Sequence, residues 1–147
     1  MSDAKSILLI DGHDKDREYY AHRLKASSPD YTILEAATGQ AGLDLYKSHP
    51  IDCVILELHL PDKSGFEILI KLVQRSRRPV LPVVVLTVFT HEGLLEVARR
   101  NGALAILQKS TTGDDELERV VHKVMATIPR DGKKDVAATP SNPFLHM

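Results

Sequence analysis

The sequence has few of the features that mark secreted, membrane or nucleic-acid-binding proteins. Its 147 residues include one cysteine, Cys53, which excludes a disulfide framework within the chain. No apolar run approaches the ~20 residues that a membrane-spanning helix needs, and residues 1–5 lack the apolar core of a signal peptide. The formal net charge of -1 provides no broad basic field for nucleic acid. These absences favour a cytoplasmic protein with neither a nucleic-acid nor a membrane partner.

The sequence also lacks the common signatures of enzymes. It contains no glycine-rich phosphate loop and no G-x-S-x-G elbow. Cys53 lies in an apolar segment, where a buried structural thiol is expected rather than a nucleophile. We therefore expect a binding protein and not an enzyme. Two alternatives stay open: a small enzyme on the same fold, which a deep pocket would favour, and a metal- or nucleotide-binding sensor.

Short apolar segments alternate with amphipathic segments along most of the chain. Strands are predicted over residues 6–10, 31–34, 53–56, 82–87 and 103–107. Their apolar character is continuous, which is typical of strands buried on both faces of a parallel sheet. Helix-start signals lie between them, at Asp14, Thr38, Ser64, Thr90 and Thr112. Five β-α units in succession predict an α/β fold with a doubly wound parallel sheet and helices on both faces.

The composition changes near residue 129. Pro129, Gly132, Pro140 and Pro143 stand among polar residues, and the periodic apolar pattern ends. We therefore predict one folded domain over residues 1–128 and a tail or linker over residues 129–147.

Polar residues end or directly follow four of the predicted strands. They are Asp11, Glu57, Thr87 and Lys109. Because ligand sites in parallel α/β sheets lie at the carboxyl ends of the strands, we expect these four side chains to converge at one edge.

The segment around Glu57 resembles a known family. Residues 52–65, DCVILELHLPDKSG, have the pattern of a buried strand, an acidic tip, a loop and a helix start. This closely resembles the phosphoacceptor segment of receiver domains, the CheY-like modules of two-component response regulators. The resemblance covers about residues 6 to 128. It implies a flavodoxin-like five-stranded sheet in the order 2-1-3-4-5 and a role in phosphorelay signal transduction.

The resemblance assigns roles to the residues at the strand ends. Asp11 matches the first member of an acidic pair that helps to hold Mg²⁺, but the second member falls on Gly12. Glu57 occupies the phosphoacceptor position, which is an aspartate in the family. Thr87 matches the hydroxyl residue that contacts the phosphoryl group, and Lys109 matches the lysine that pairs with it. We expect Mg²⁺ to bind at Asp11 and Glu57 only weakly.

Several positions depart from the family pattern. The extra methylene of Glu57 moves the carboxylate by ~1.5 Å, and a misplacement near 1 Å can cost about 10²-fold in a positioned reaction. Ile106 stands at the position of the switch aromatic, and Ser110 replaces a proline that follows a cis bond, so we expect a trans bond there. Glu57 could imitate a phosphorylated aspartate, or pair with Lys109 and fix one conformation; the second interpretation is favoured.

Together these departures predict an atypical receiver, or pseudo-receiver, that binds proteins and receives little or no phosphoryl group. The alternative is a conventional receiver that is phosphorylated with Mg²⁺ despite its glutamate.

Three further residues match family positions that flank the site. They are His13, His59 and Phe89, and the ring of Phe89 could shield the site from water. Asp11, His13, Glu57 and His59 also suggest a less favoured alternative, a site for a borderline metal such as Zn²⁺.

The resemblance implies a partner surface as well. It consists of the helix Glu92–Asn101, the strand Ala103–Leu107 and one face of the helix Asp114–Ile128. The expected partner is a histidine kinase or a downstream effector, and a homodimer is an alternative.

Overall fold

The computed structural model describes residues 4–76 and 80–127. Five strands and five helices alternate in this part of the chain. The strands are β1 (Ser6–Ile10), β2 (Thr32–Ala36), β3 (Cys53–Leu56), β4 (Val83–Thr87) and β5 (Ala105–Gln108). The helices are α1 (Asp14–Ser27), α2 (Gly39–Ser48), α3 (Gly65–Arg75), α4 (Glu92–Arg100) and α5 (Glu116–Thr127). None of these helices is long and apolar enough to cross a membrane.

The strands form one parallel sheet in the order β2-β1-β3-β4-β5, which confirms the predicted fold. β3 lies in the middle, where Ile7 of β1 pairs with Cys53 and Val54 pairs with Val83 of β4. Because every strand runs in the same direction, all carboxyl ends lie at one edge of the sheet.

Alternate side chains of each strand enter two different cores. Leu8 and Ile10 pack with residues of α2, α3 and α4, whereas Ile7 and Leu9 pack with α1 and α5. All four side chains are buried, and burying such a side chain contributes about 1.5–3 kcal/mol. The continuous apolar character of the strands is therefore explained by helices on both faces of the sheet.

Element boundaries differ from the prediction by one or two residues. The second strand begins at Thr32 and extends to Ala36, and the fifth begins at Ala105. Ala103 and Leu104 are buried but lie before β5, in the turn that follows α4. Apolar composition alone does not separate a buried turn residue from a strand residue.

Two of the predicted capping residues are confirmed, and two predictions are wrong by one residue. Thr38 and Ser64 cap α2 and α3 as predicted. α1 is capped by His13 and not by Asp14, because His13 is extended and its Nδ1 accepts from the Asp16 N–H. α4 is likewise capped by a histidine, His91, in place of Thr90.

The start of α5 is also later than predicted. The Thr112 hydroxyl donates to the Gln108 carbonyl at 2.6 Å and does not cap the helix. α5 begins at Glu116, whose carboxylate accepts the Gly113 N–H at 3.1 Å. Residue 128, the predicted end of this helix, and the predicted tail over 129–147 lie outside the described residues.

Candidate functional site

The carboxyl edge of the sheet brings together polar side chains from four neighbouring strands. Asp11 directly follows β1, Glu57 follows β3, Thr87 ends β4 and Lys109 follows β5. Asp11, Glu57 and Thr87 are the buried polar residues of this edge. These residues, which are far apart in the chain, therefore form one cluster.

Both carboxylate oxygens of Glu57 are engaged. Oε2 accepts from the Thr87 hydroxyl at 2.5 Å and from the His59 N–H at 2.9 Å. Oε1 accepts from the Val88 N–H at 3.1 Å and lies 3.1 Å from the Lys109 ammonium. The residue is 3% exposed, so this carboxylate exchanges water for four protein contacts. The expected pairing of Glu57 with Lys109 is present.

Lys109 is surrounded by three carboxylates. Its ammonium donates to Asp11 Oδ2 at 2.7 Å and to Asp16 Oδ2 at 2.9 Å, in addition to its ion pair with Glu57. Burial alone would lower the pKa of Lys109. The hydrogen bonds to Asp11 and Asp16 and the negative charges of Asp11 and Glu57 outweigh burial, so the pKa is raised. Lys109 is therefore a permanent cation at the centre of the cluster.

Asp16 was not predicted as a site residue. It lies in the first turn of α1, and its contact with Lys109 joins residues 93 positions apart. The position of Asp16 in the sequence is the signal that could have identified it. An acid in the first turn of a helix that directly follows a strand end lies near the same edge as the strand end itself.

Asp11 is also held by backbone groups. Its Oδ1 accepts the His13 N–H at 2.9 Å, while its own carbonyl accepts from Arg17 at 2.8 Å. The remaining oxygen of the carboxylate faces Lys109. The loop between β1 and α1 is thus tied both to the helix and to the lysine.

Gly12 lies against the loop that follows Glu57. A Cβ atom built on Gly12 would lie 2.7 Å from Cδ of Pro61 and 3.2 Å from the carbonyl oxygen of Ala37. The first distance is shorter than real Cβ contacts, and the proline ring cannot rotate away. A side chain at position 12, acidic or otherwise, therefore requires a shift of the Pro61 loop.

The residues at this edge do not fit a divalent metal as they are arranged. The oxygens that could bind Mg²⁺, from Asp11, Asp16 and Glu57, each face the Lys109 ammonium within 3.1 Å. Within residues 4–76 and 80–127, no group of three or more His, Cys, Asp and Glu side chains is arranged to hold a metal.

The Zn²⁺ hypothesis for Asp11, His13, Glu57 and His59 is wrong for this arrangement. The His13 side chain caps α1. The ring of His59 packs against Phe89 with centroids 5.8 Å apart. His13 Nδ1 lies 3.2 Å from Asp16 Oδ1, but within the described residues these side chains form no group arranged to hold a metal.

The remaining predicted positions lie around the cluster. Ile106 is half-buried on β5 and packs against the core on the α4 side of the sheet. The described chain contains no cis peptide bond, so the bond before Ser110 is trans as expected. His59 and Phe89 line a groove of about 420 Å³ beside the site, together with Phe66 and Leu94.

Comparison with known proteins identifies the family. Residues 7–122 match the model of the response regulator receiver domain. The chain belongs to this family. This receiver domain therefore acts in two-component signalling, where receivers interact with protein partners such as kinases and effectors.

Two relatives illustrate the range of matching regulators. The nitrate/nitrite response regulator protein NarL of Escherichia coli K12 is 34% identical over 122 residues, which cover 82% of this chain and 55% of NarL. The polar-differentiation response regulator DivK of Brucella ovis is 26% identical over 105 residues, covering 71% of this chain and 84% of DivK. The chain thus spans about half the length of NarL.

Solved structures of receivers share the fold of this domain. A CheY-like receiver from Methanospirillum hungatei superposes with a TM-score of 0.77 at 21% identity, covering 85% of this chain and 96% of that chain. The Thermotoga maritima regulator TrrA, solved with Mg²⁺ and BeF, has a TM-score of 0.71 at 26% identity and covers 82% of this chain and 98% of TrrA.

Proposed function

We propose that this receiver domain is an atypical one, a protein-interaction module held in one state without a conventional cycle of phosphorylation. The observation that carries the proposal is the engagement of Glu57. Its two oxygens already bind the Thr87 hydroxyl, the Lys109 ammonium and two backbone N–H groups. Phosphoryl transfer to a carboxylate needs such donors for the moving phosphoryl oxygens. Here the carboxylate itself occupies them.

The arrangement of the acids around Lys109 supports the same proposal. Mg²⁺ requires near-octahedral oxygen ligands and gives up its waters reluctantly. Gly12 contributes no carboxylate, and the Lys109 ammonium lies among the three acids that remain. We therefore infer that Mg²⁺ binds weakly, because it must compete with a cation that belongs to the chain. Bound Mg²⁺ would neutralise charge on a transferred phosphoryl group.

The proposed module acts by binding and catalyses no reaction of its own. We place its partner, a histidine kinase or a downstream effector, on α4, β5 and α5, the surface that the family resemblance implies. A cytoplasmic location is part of the same proposal.

A second candidate is a conventional receiver that is phosphorylated at Glu57. Its supporting observation is the retention of Asp11, Thr87 and Lys109 around the acceptor position, each within contact of a carboxylate or an ammonium of the cluster. The two candidates differ in one measurable property, which is whether the wild-type protein takes up a phosphoryl group.

The test is the intact mass of the purified chain after incubation with Mg²⁺ and acetyl phosphate. We expect no gain for the wild type. The Glu57→Asp variant retracts the carboxylate by one methylene, and a second variant adds Gly12→Asp to supply the missing acid. A third adds Pro61→Ala, because the proline ring stands where the new Cβ would lie. We expect phosphoryl uptake to rise along this series.

Glu57→Gln is the matched control, since it keeps the size of the side chain and removes the nucleophilic charge. A Mg²⁺-dependent gain of phosphoryl mass by the wild type, absent from Glu57→Gln, would overturn the proposal and establish the second candidate.

A further inference from the structure

The imidazole of His91 caps the first turn of α4 through one hydrogen bond. His91 has extended backbone geometry and directly precedes the helix, and its Nδ1 accepts the Gly93 N–H at 3.0 Å. The His91 carbonyl accepts the N–H groups of Leu94 and Leu95 at 3.0 and 3.1 Å. Because the first N–H groups of a helix have no partner within it, the ring supplies an acceptor that the helix itself lacks.

Gly93 leaves the space that this ring occupies. A Cβ atom on Gly93 would lie 2.9 Å from Cε1 and 3.1 Å from Nδ1 of His91. The first distance is shorter than real Cβ contacts, so a larger residue at position 93 would move the ring away from the N–H that it accepts. The position of the imidazole is thus defined by two independent features, a hydrogen bond and a close contact.

The loop between β4 and α4 is fastened differently at its two ends. At its start, the Val88 N–H donates to Glu57 Oε1 and the Phe89 N–H donates to the Thr87 hydroxyl, each at 3.1 Å. These contacts belong to the buried cluster. At its end, the loop is joined to the helix by the ring of His91, which is an exposed residue. Protons from the solvent therefore have access to this ring.

The hydrogen bond of the ring requires a neutral imidazole. Nδ1 can accept only while it carries no proton, whereas both nitrogens of a protonated ring are donors. A positive charge is also unfavourable at the N-terminus of a helix, where the macrodipole is positive. Protonation of His91 therefore removes the cap and adds repulsion at the same place. Imidazole is the side chain whose charge ordinarily changes between about pH 5 and 8.

Within the described residues, no charged side chain pairs with this ring. α4 is bordered by α3, by β5 and by residues 58–64, the loop before α3. The titratable side chains of these elements are His59, Asp62, Lys63, Glu67, Lys71 and Arg75. On α4 itself they are Glu92, Glu96, Arg99 and Arg100. None of them forms an ion pair or a hydrogen bond with the His91 ring, whose one described partner is the Gly93 N–H.

We propose that His91 is a pH-sensitive cap, which orders the first turn of α4 when the ring is neutral and releases it when the ring is protonated. α4 belongs to the surface on which we place the partner, and Leu94 in its first turn is an exposed apolar side chain. Acid therefore changes the partner surface at this turn. The cap does not depend on whether Glu57 takes up a phosphoryl group, so this proposal and the proposed function can fail separately.

Amide exchange of the full chain, followed by solvent-exchange NMR at about pH 8 and about pH 5.5, tests the cap. Protection is corrected for the intrinsic pH dependence of exchange. We expect the protection of the Gly93 and Leu94 N–H groups of the wild type to fall about fivefold or more in acid, because loss of a helix cap has an effect of this size. The N–H groups of β3 should keep their protection.

His91→Asn is the matched variant, because asparagine is a good cap whose side-chain oxygen accepts an N–H and does not titrate. We expect its protection to stay near that of the neutral wild type at both pH values. His91→Ala lacks the acceptor and should have the low protection of the protonated wild type throughout. His22→Asn is the control, because it removes an exposed histidine of α1 and should leave the fall unchanged.

Protection at the start of α4 that does not change with pH in the wild type overturns the proposal. An equal fall in His91→Asn also overturns it, because another group must then titrate. A fall of the same size in every helix would mean general unfolding in acid and would exclude a local cap as the cause.

Discussion

The two sides of Glu57 hold its carboxylate by different means. On one side, a single ammonium, that of Lys109, joins it to Asp11 and Asp16. On the other side, the N–H groups of the loops after β3 and β4 and one threonine hydroxyl provide three hydrogen bonds. We call these the lysine side and the amide side.

The two sides differ in the number of groups that make their contacts. The lysine side depends on one group, because removal of its charge leaves three carboxylates facing one another. The amide side divides its contacts among three donors, two of which are backbone N–H groups that every substitution except proline retains. We therefore expect single substitutions to be severe on the lysine side and graded on the amide side.

Lys109→Met should have the largest effect on stability. The variant retains the apolar stem but leaves Asp11 and Glu57 buried without a cation. Loss of one partner from a buried ion pair costs about 3–5 kcal/mol, and urea denaturation should show a loss in this range. Arg119→Met is the control, because its pair with Asp115 is exposed and should contribute less than about 1 kcal/mol.

The stabilising effect of Lys109 should also be insensitive to pH near neutrality. Its pKa is raised in the folded state, so its contribution is complete below the ordinary lysine pKa of 10.5 and is lost only as pH rises through the raised folded value. A difference between wild type and Lys109→Met that fell steeply between about pH 7 and 9 would contradict the proposed pairing.

Thr87→Val should have an intermediate effect on the amide side. The Thr87 hydroxyl donates to Glu57 and accepts the Phe89 N–H at 3.1 Å, so valine removes both contacts without changing the shape of the side chain. We expect a loss of about 2 kcal/mol in urea denaturation, because one of the lost bonds is to a charged group. Thr87→Ser keeps the hydroxyl and should lose less; an equal loss would mean that packing of the methyl group is what matters.

Asp62→Ala should have the smallest effect. Asp62 lies in the loop that begins beyond His59, and its carboxylate accepts from the Gly39 and Gln40 N–H groups at 2.8 and 3.0 Å. These hydrogen bonds connect the loop between β3 and α3, which also contains His59, to the start of α2. Loss of a comparable cap costs about 1 kcal/mol, and Asp44→Ala, on the exposed face of α2, is the matched control.

The stability loss of Asp62→Ala should depend on pH, and this dependence tests whether the charge of Asp62 is its cause. Burial would raise the pKa of Asp62, but the backbone hydrogen bonds of Gln40 and Gly39 outweigh it and lower the pKa. A depressed carboxyl pKa gives stability that is complete above the ordinary value of 3.8 and is lost as pH falls through the folded value. The gap between wild type and Asp62→Ala in thermal denaturation should therefore close in acid, and a gap that persists there would exclude the charge as its source.

Much of the fold followed from the sequence because strands buried on both faces have a local signature. Residues 6–10 and 53–56 are apolar throughout, and no amphipathic helix or half-exposed strand has that pattern. The convergence of Asp11, Glu57 and Lys109 followed from one further rule, that parallel strands end at a common edge. Both inferences need only local composition and chain direction.

Other features of the site depend on packing between distant segments and have no local signature. The contact of Asp16 with Lys109 depends on how the first turn of α1, which is capped by His13 and not by Asp14, packs against the segment that follows β5. The contact of Gly12 with Pro61 depends on how two loops pass each other. Residue preferences for helix caps are weak compared with such contacts, so they predict Asp14 and Thr90 as caps where the structure has His13 and His91.

The reactivity of the Cys53 thiol can be used to measure how often the central strands of the sheet separate. It is the single cysteine of the chain, and its side chain is 0% exposed at the start of the central strand β3. A thiol reagent can reach it only when the middle of the sheet separates, so its modification rate in native buffer measures how often that separation occurs. A cysteine introduced on the surface would react at the intrinsic rate of an exposed thiol, and the ratio of the two rates would give the fraction of molecules in which β3 is open.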